Sequence, residues 1–90
     1  MYLQGNLQEI FDALYAIGAI QRVIQKDWHQ IVQFRQSHWQ VHRSLVEQLN
    51  ETKGSELFQF LQHLSEDFQN VIALEVANEL VEYTQRTQIH

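Results

Sequence analysis

No proline occurs anywhere in the ninety residues, and glycine occurs only three times. Sheets and tight turns draw on these two residues, whereas long helices exclude them. Apolar residues recur along most of the chain at alternating spacings of three and four, the period of an amphipathic helix. The sequence therefore predicts an all-α fold. The expected form is a small antiparallel helical bundle of three long helices, with the third open to a break into two. Residues 1–90 are read as a single helical-bundle domain. A chain of this length buries only about 60–65% of its unfolded surface, so self-association would help it.

The first helix is expected to start near Asn6, which with Glu9 has the spacing of a capping box, while Leu3 is placed to staple the first turn. Leu7, Ile10, Leu14, Ile17 and Ile24 form its apolar stripe, interrupted by Gln21. Asp27 is a second N-cap signal, and a break or kink is placed at 26–28. The second helix is expected over 28–50. Asn50 to Ser55 is the one clear loop, with Gly54 as its permissive residue and Ser55 as an N-cap. Ser65-Glu66-Asp67 repeats the N-cap pattern, which would divide the third helix into about 56–64 and 66–87. At about 100° per residue, the face holding Leu57, Leu61, Leu64 and Phe68 runs on into Glu75, Glu79 and Glu82. The helix bends near 65–70, or the acidic row faces a partner.

Composition narrows the function classes. There is no cysteine, hence no disulfide, thiolate nucleophile or thiolate metal site. Net charge is −5, and six Lys and Arg residues are scattered rather than clustered. No basic stripe exists to neutralise phosphates or an anionic membrane, so neither nucleic acid nor membrane is an expected partner. No signal peptide is evident at the amino end, and the longest apolar run, Ala13–Ile20 counting Gly18, is far too short to span a bilayer. A cytoplasmic protein is expected. Glutamine is abundant but interleaved with apolar residues, which suits exposed helix faces.

The second helix carries the main anomaly. Trp28, Ile31, Val32, Phe34, Trp39, Val41, Leu45, Val46 and Leu49 define its apolar arc, and Arg35, His38 and His42 fall inside that arc. An unpartnered guanidinium there would be very costly. If the second and third helices pack antiparallel about the 51–55 loop, facing positions sum to about 105. His42 then faces His63, His38 faces Asp67, and Arg35 lies near Asp67 and Asn70. The leading expectation is a buried polar network of Arg35, His38, His42 and Asp67. A second is the rim of a dimer interface, where tryptophan, tyrosine and arginine are favoured. The apolar residues expected in that interface are Ile17, Ile20, Ile24, Trp28, Ile31 and Trp39.

Two sharper readings use the same residues. His38, His42, His63 and Asp67 could converge as three imidazoles and a carboxylate, a donor set for zinc. The Glu-x-x-His pattern of di-iron bundles is absent. Arg35 and His42 are separated by six residues, which resembles the Arg-x(4–6)-His spacing of HEPN ribonucleases over those two residues alone. That resemblance implies RNA processing through Arg35, His38 and His42. No phosphate loop, nucleophile elbow or His-Glu-x-x-His appears. The sequence therefore reads first as a non-enzymatic interaction module, a self-associating adaptor, chaperone-like or regulatory protein. A homodimer and an unidentified protein partner are expected.

Overall fold

The computed structural model describes residue 3 and residues 6–88, with side chains as far as residue 85. It contains six helices: α1 (Leu7–Ala16), α2 (Ala19–Gln25), α3 (Trp28–Ser37), α4 (Trp39–Glu51), α5 (Ser55–His63) and α6 (Glu66–Gln88). Among the described residues there is no strand. The all-α class holds, but the three long helices do not: the first and second are each divided, as is the third.

Each division has a local cause. Gly18 adopts φ 83°, the left-handed region that glycine enters most readily, and it ends the first helix eight residues before the expected break at 26–28. The Ile17 and Gly18 amides donate back to Ala13 and Tyr15 carbonyls, and α2 restarts with the Gly18 carbonyl accepting from the Arg22 amide. At 26–28 the expected break is present, and the Asp27 carboxylate caps α3 by accepting from the His29 amide at 2.9 Å. The division at His38 has no glycine or proline to mark it. Its amide is shared between the Phe34 and Arg35 carbonyls, and its ring Nδ1 sits 3.1 Å from the same Phe34 oxygen. A side chain competing for an i−4 carbonyl bends a helix in this way.

The last two junctions match the expected positions with one change of roles. Gly54, at φ 66°, occupies the N-cap position of α5, and Ser55 is the first helical residue rather than the cap. Ser65 does cap α6, its hydroxyl accepting from the Phe68 amide at 3.4 Å.

The core gathers Ile10 and Leu14 of α1, Ile20 of α2, Val46 and Leu49 of α4, Leu57 and Leu61 of α5, and Ile72 and Val76 of α6, closed at one end by Leu3. Ala13, Ala19 and Ala73 are buried at the helix contacts, where small side chains permit close approach. α6 is the central wall, against which α1, α2 and α3 all pack, while α5 packs on α1. The radius of gyration is 12.7 Å, close to the roughly 12 Å expected of a compact chain of this length.

Helix ends are closed by side chains from elsewhere in the chain. Asn6 makes no side-chain cap on its own helix, so the expected capping box does not form. Its amide instead donates to the Leu49 and Thr52 carbonyls at the end of α4, at 3.2 and 2.8 Å. The Gln69 amide donates to the Leu61 and Leu64 carbonyls at the end of α5. Arg22 in turn donates to Gln69 Oε1, to Asn70 Oδ1 and to the Ile17 carbonyl.

Replacing Gly18 tests the first of these junctions. An added Cβ would meet nothing closer than Arg22 Nη1 at 3.8 Å, so the cost of alanine is conformational rather than steric. Gly18→Ala should lower the unfolding free energy by about 1–2 kcal/mol in urea titration.

Candidate functional site

Arg35 lies in the last turn of α3 and His42 in the first turns of α4. In a straight helix, seven residues put two side chains on one face but about 10.5 Å apart along the axis. Here the kink at His38 and the length of the arginine bring both onto a single carboxylate, that of Glu75 on α6. Arg35 Nε lies 2.5 Å from Oε1, and His42 Nε2 lies 3.1 Å from Oε2. The two contacts share the one carboxylate, the guanidinium on one oxygen and the imidazole on the other. Burial pushes the Glu75 carboxyl up, but His42 and then Arg35 more than offset this and hold it below the ordinary glutamate range.

Of the four residues expected in one polar network, Arg35 and His42 come together at Glu75, and His38 and Asp67 do not join them. Asp67 is not the partner of Arg35; it is exposed in the first turn of α6, eight residues and about 12 Å of helix from Glu75. With Lys26, Gln30, Ile31, Phe34 and Asn70 it borders a small cleft. The facing register fails because α5 packs on α1, and the turn at 64–65 lets α6 run back independently. His42 then meets residue 75 rather than residue 63.

The two remaining histidines lie apart from Glu75. His38, a member of the expected buried network, is exposed. Its ring stacks on Phe34 at 4.3 Å and meets the edge of Phe68 at 6.0 Å. His63 is exposed at the end of α5. His38, His42, His63 and Asp67 are thus not assembled, and among the described residues no three His, Asp or Glu side chains stand close enough to share a metal ion. Burial of the intervening core explains this: His42 faces inward while the other three face water.

The expected interface residues divide as well. Ile20 and Ile31 are buried within the chain itself, and Ile17 packs partly against the core, so these three are folding residues. Ile24, Trp28 and Trp39 remain exposed, Ile24 by 78%. Val41, placed by its spacing in the apolar arc of the second helix, is exposed as well, and so are Tyr15, Val81 and Tyr83. The missed acid, Glu75, did carry a signal. It is four residues from Val71 and three from Ile72, both fully buried, so it flanks the inner face of α6 instead of belonging to a solvated row.

His42 is 1% exposed, and its Nε2 lies against the Glu75 carboxylate. General acid–base work needs a nitrogen within reach of a substrate proton. No helix among the described residues is long and apolar enough to cross a membrane. Compared with known protein families, curated proteins and solved structures, the chain matches none of them.

Two variants separate Glu75 from Asp67. Glu75→Ala leaves Arg35 and His42 without their acceptor and should cost about 1–3 kcal/mol. Arg35 is a third exposed, and water takes up part of the loss. Asp67→Ala should cost under about 1 kcal/mol, the value of a first-turn carboxylate on a helix. Because the Glu75 carboxyl is held low in the fold, its contribution is fully present above the ordinary glutamate value of about 4.3. It is lost as pH falls through the lower folded value. The stability gap between wild type and Glu75→Gln should therefore be constant near neutrality and shrink in acid, as read by denaturant titration at several pH values.

Proposed function

We propose that this protein is a helical interaction module that self-associates, at least as a dimer, and acts as an adaptor, chaperone-like or regulatory partner of another protein. The observation that carries this reading is the distribution of apolar surface. His42 is turned inward against Glu75, which Arg35 also meets, while large apolar side chains stand outward on several helices. Ile24 and Trp28 bracket the α2–α3 junction, Trp39 and Val41 open α4, and Tyr15, Val81 and Tyr83 lie on α1 and α6. Exposed apolar groups in such number on so short a chain are what a contact surface requires.

A second reading, RNA cleavage of the kind implied by the Arg-x6-His spacing, draws on one observation: Arg35 and His42 converge on one point. Against it, that point is filled by a carboxylate, which repels the phosphodiester such a reaction needs. If this reading holds, the protein cleaves single-stranded RNA, and Arg35→Lys, which keeps a cation beside Glu75, abolishes the cleavage with little change in melting temperature.

Light scattering at tens of micromolar tests the first reading. A dimer or larger species is expected, with a melting temperature that rises with protein concentration. A monomer at that concentration overturns it.

A further inference from the structure

Residues 35–42 run between two anchored ends. On the α3 side Ile31 is buried, and the Phe34 ring meets the edge of Phe68 at 5.0 Å. On the α4 side Val46 and Leu49 enter the core, and Asn6 closes the helix end at the Leu49 and Thr52 carbonyls. Between these anchors the chain bends at His38, and every residue from Ser37 to Val41 is exposed. The His38 amide divides itself between the Phe34 and Arg35 carbonyls, so the helical ladder is already interrupted there. Arg35 and His42 stand at the two ends of this exposed stretch. Both reach the same carboxylate, Arg35 Nε at 2.5 Å from Glu75 Oε1 and His42 Nε2 at 3.1 Å from Oε2. This is a hinge with a latch: apolar packing fixes the helices on either side, and Glu75 draws the bend between them onto α6.

The latch works through charge. A carboxylate attracts both a guanidinium and an imidazole, and a neutral carboxylic acid gives up most of that attraction. Arginine keeps its charge at every accessible pH, and an imidazole in water takes a proton below about pH 6. Protonating Glu75 therefore leaves the two bases with no anion between them, which favours moving His42 out of the interior into water. The other charged groups around α6 stand apart from this pair. α2 brings Arg22, which is engaged with Gln69 and Asn70, and α1 brings Glu9 and Asp12, both exposed. Glu79 lies one turn further along α6. His42 and Arg35 hold the Glu75 carboxyl below the ordinary glutamate range while the bend is closed. Closure is thus worth its full amount above about pH 4.3 and weakens as pH falls through the lower value of the closed form.

We propose that residues 35–42 form a hinged elbow that Glu75 latches shut on α6, and that acid releases it while the core stays closed. Release turns the buried His42 imidazole out to water. The elbow is independent of the self-association reading above.

Amide hydrogen exchange on the full chain, read residue by residue by NMR as protection factors, tests this. In the wild type the His38 and His42 amides should lose about tenfold or more in protection between pH 7 and pH 3.5, while the Ile72 and Val76 amides of α6 keep theirs. Other carboxylates titrate over the same interval, so Glu75→Gln is measured at pH 7 alone. It removes the charge without a change of pH, and should lower protection at His38 and His42 by a similar factor, again sparing Ile72 and Val76. If the elbow amides lose protection only together with those of the core, acid acts through global unfolding and the proposal falls. It falls equally if wild-type protection at His38 and His42 is the same at both pH values, or if a folded Glu75→Gln keeps wild-type protection there. Should Glu75→Gln fail to fold, Arg35→Met decides, since it removes the partly exposed arm of the latch. Unchanged protection at His38 and His42 in that variant overturns the elbow, and a loss confined to them supports it.

Discussion

Three helices meet at the Glu75 carboxylate, and their relative positions depend on it. Arg35 and His42 belong to α3 and α4, which the kink at His38 would otherwise leave free to hinge against each other. α4 has few close backbone neighbours, and it reaches the core through Val46 and Leu49. A kinked pair of helices held only by apolar contacts has many near-equivalent packings. One carboxylate that must satisfy a guanidinium on one side of the kink and an imidazole on the other selects among them. Apolar replacements of similar volume often equal or exceed such groups in stability. The constraint it supplies here is geometric: a fixed angle between α3 and α4 and a fixed height of both on α6.

The same logic recurs at the helix ends. α1, α2, α3 and α5 have ten residues or fewer, lengths that are marginal as isolated helices. Their stability comes from packing and from closure of their free carbonyls and amides. Asn6 closes α4 from the far end of the chain, Gln69 closes α5, and Arg22 holds Gln69 and Asn70 in place. These polar contacts join elements more than forty residues apart in the case of Asn6 and Arg22. They tie the amino-terminal helices to the α4–α6 half without using up apolar surface.

Much of this was legible in the sequence because it is local. The lack of proline and the three–four spacing give helices, and Asp27, Gly54 and Ser65 mark three of the five junctions. The other two were hidden. Gly18 lies within an apolar run whose spacing continues across it, so periodicity alone reads straight through. His38 breaks the helix by bonding to a carbonyl, a property of one rotamer that composition does not carry. The candidate site was half legible. Arg35 and His42 stand out as polar residues in an apolar arc, which requires an acceptor but does not name it. Choosing that acceptor needed the packing order of the helices. One misjudged neighbour, α5 against α4 instead of α1, moved the choice from Glu75 to Asp67.

The distribution of polarity bears directly on function. A small domain gains most by burying its aliphatic and aromatic side chains, and this chain also buries a histidine, set against a partly buried glutamate and arginine. It leaves isoleucine, tryptophan, valine and tyrosine on the outside. Water would favour the reverse on both counts. The buried group is explained within the molecule, since it fixes the α3–α4 angle. Of the exposed residues, Trp39 lies under the Arg43 guanidinium and Tyr15 stacks on Phe11, while Ile24 stands 78% exposed. On α6 the uncharged face of Ala77, Val81 and Thr84 and the row of Glu75, Glu79 and Glu82 lie on different sides of the helix.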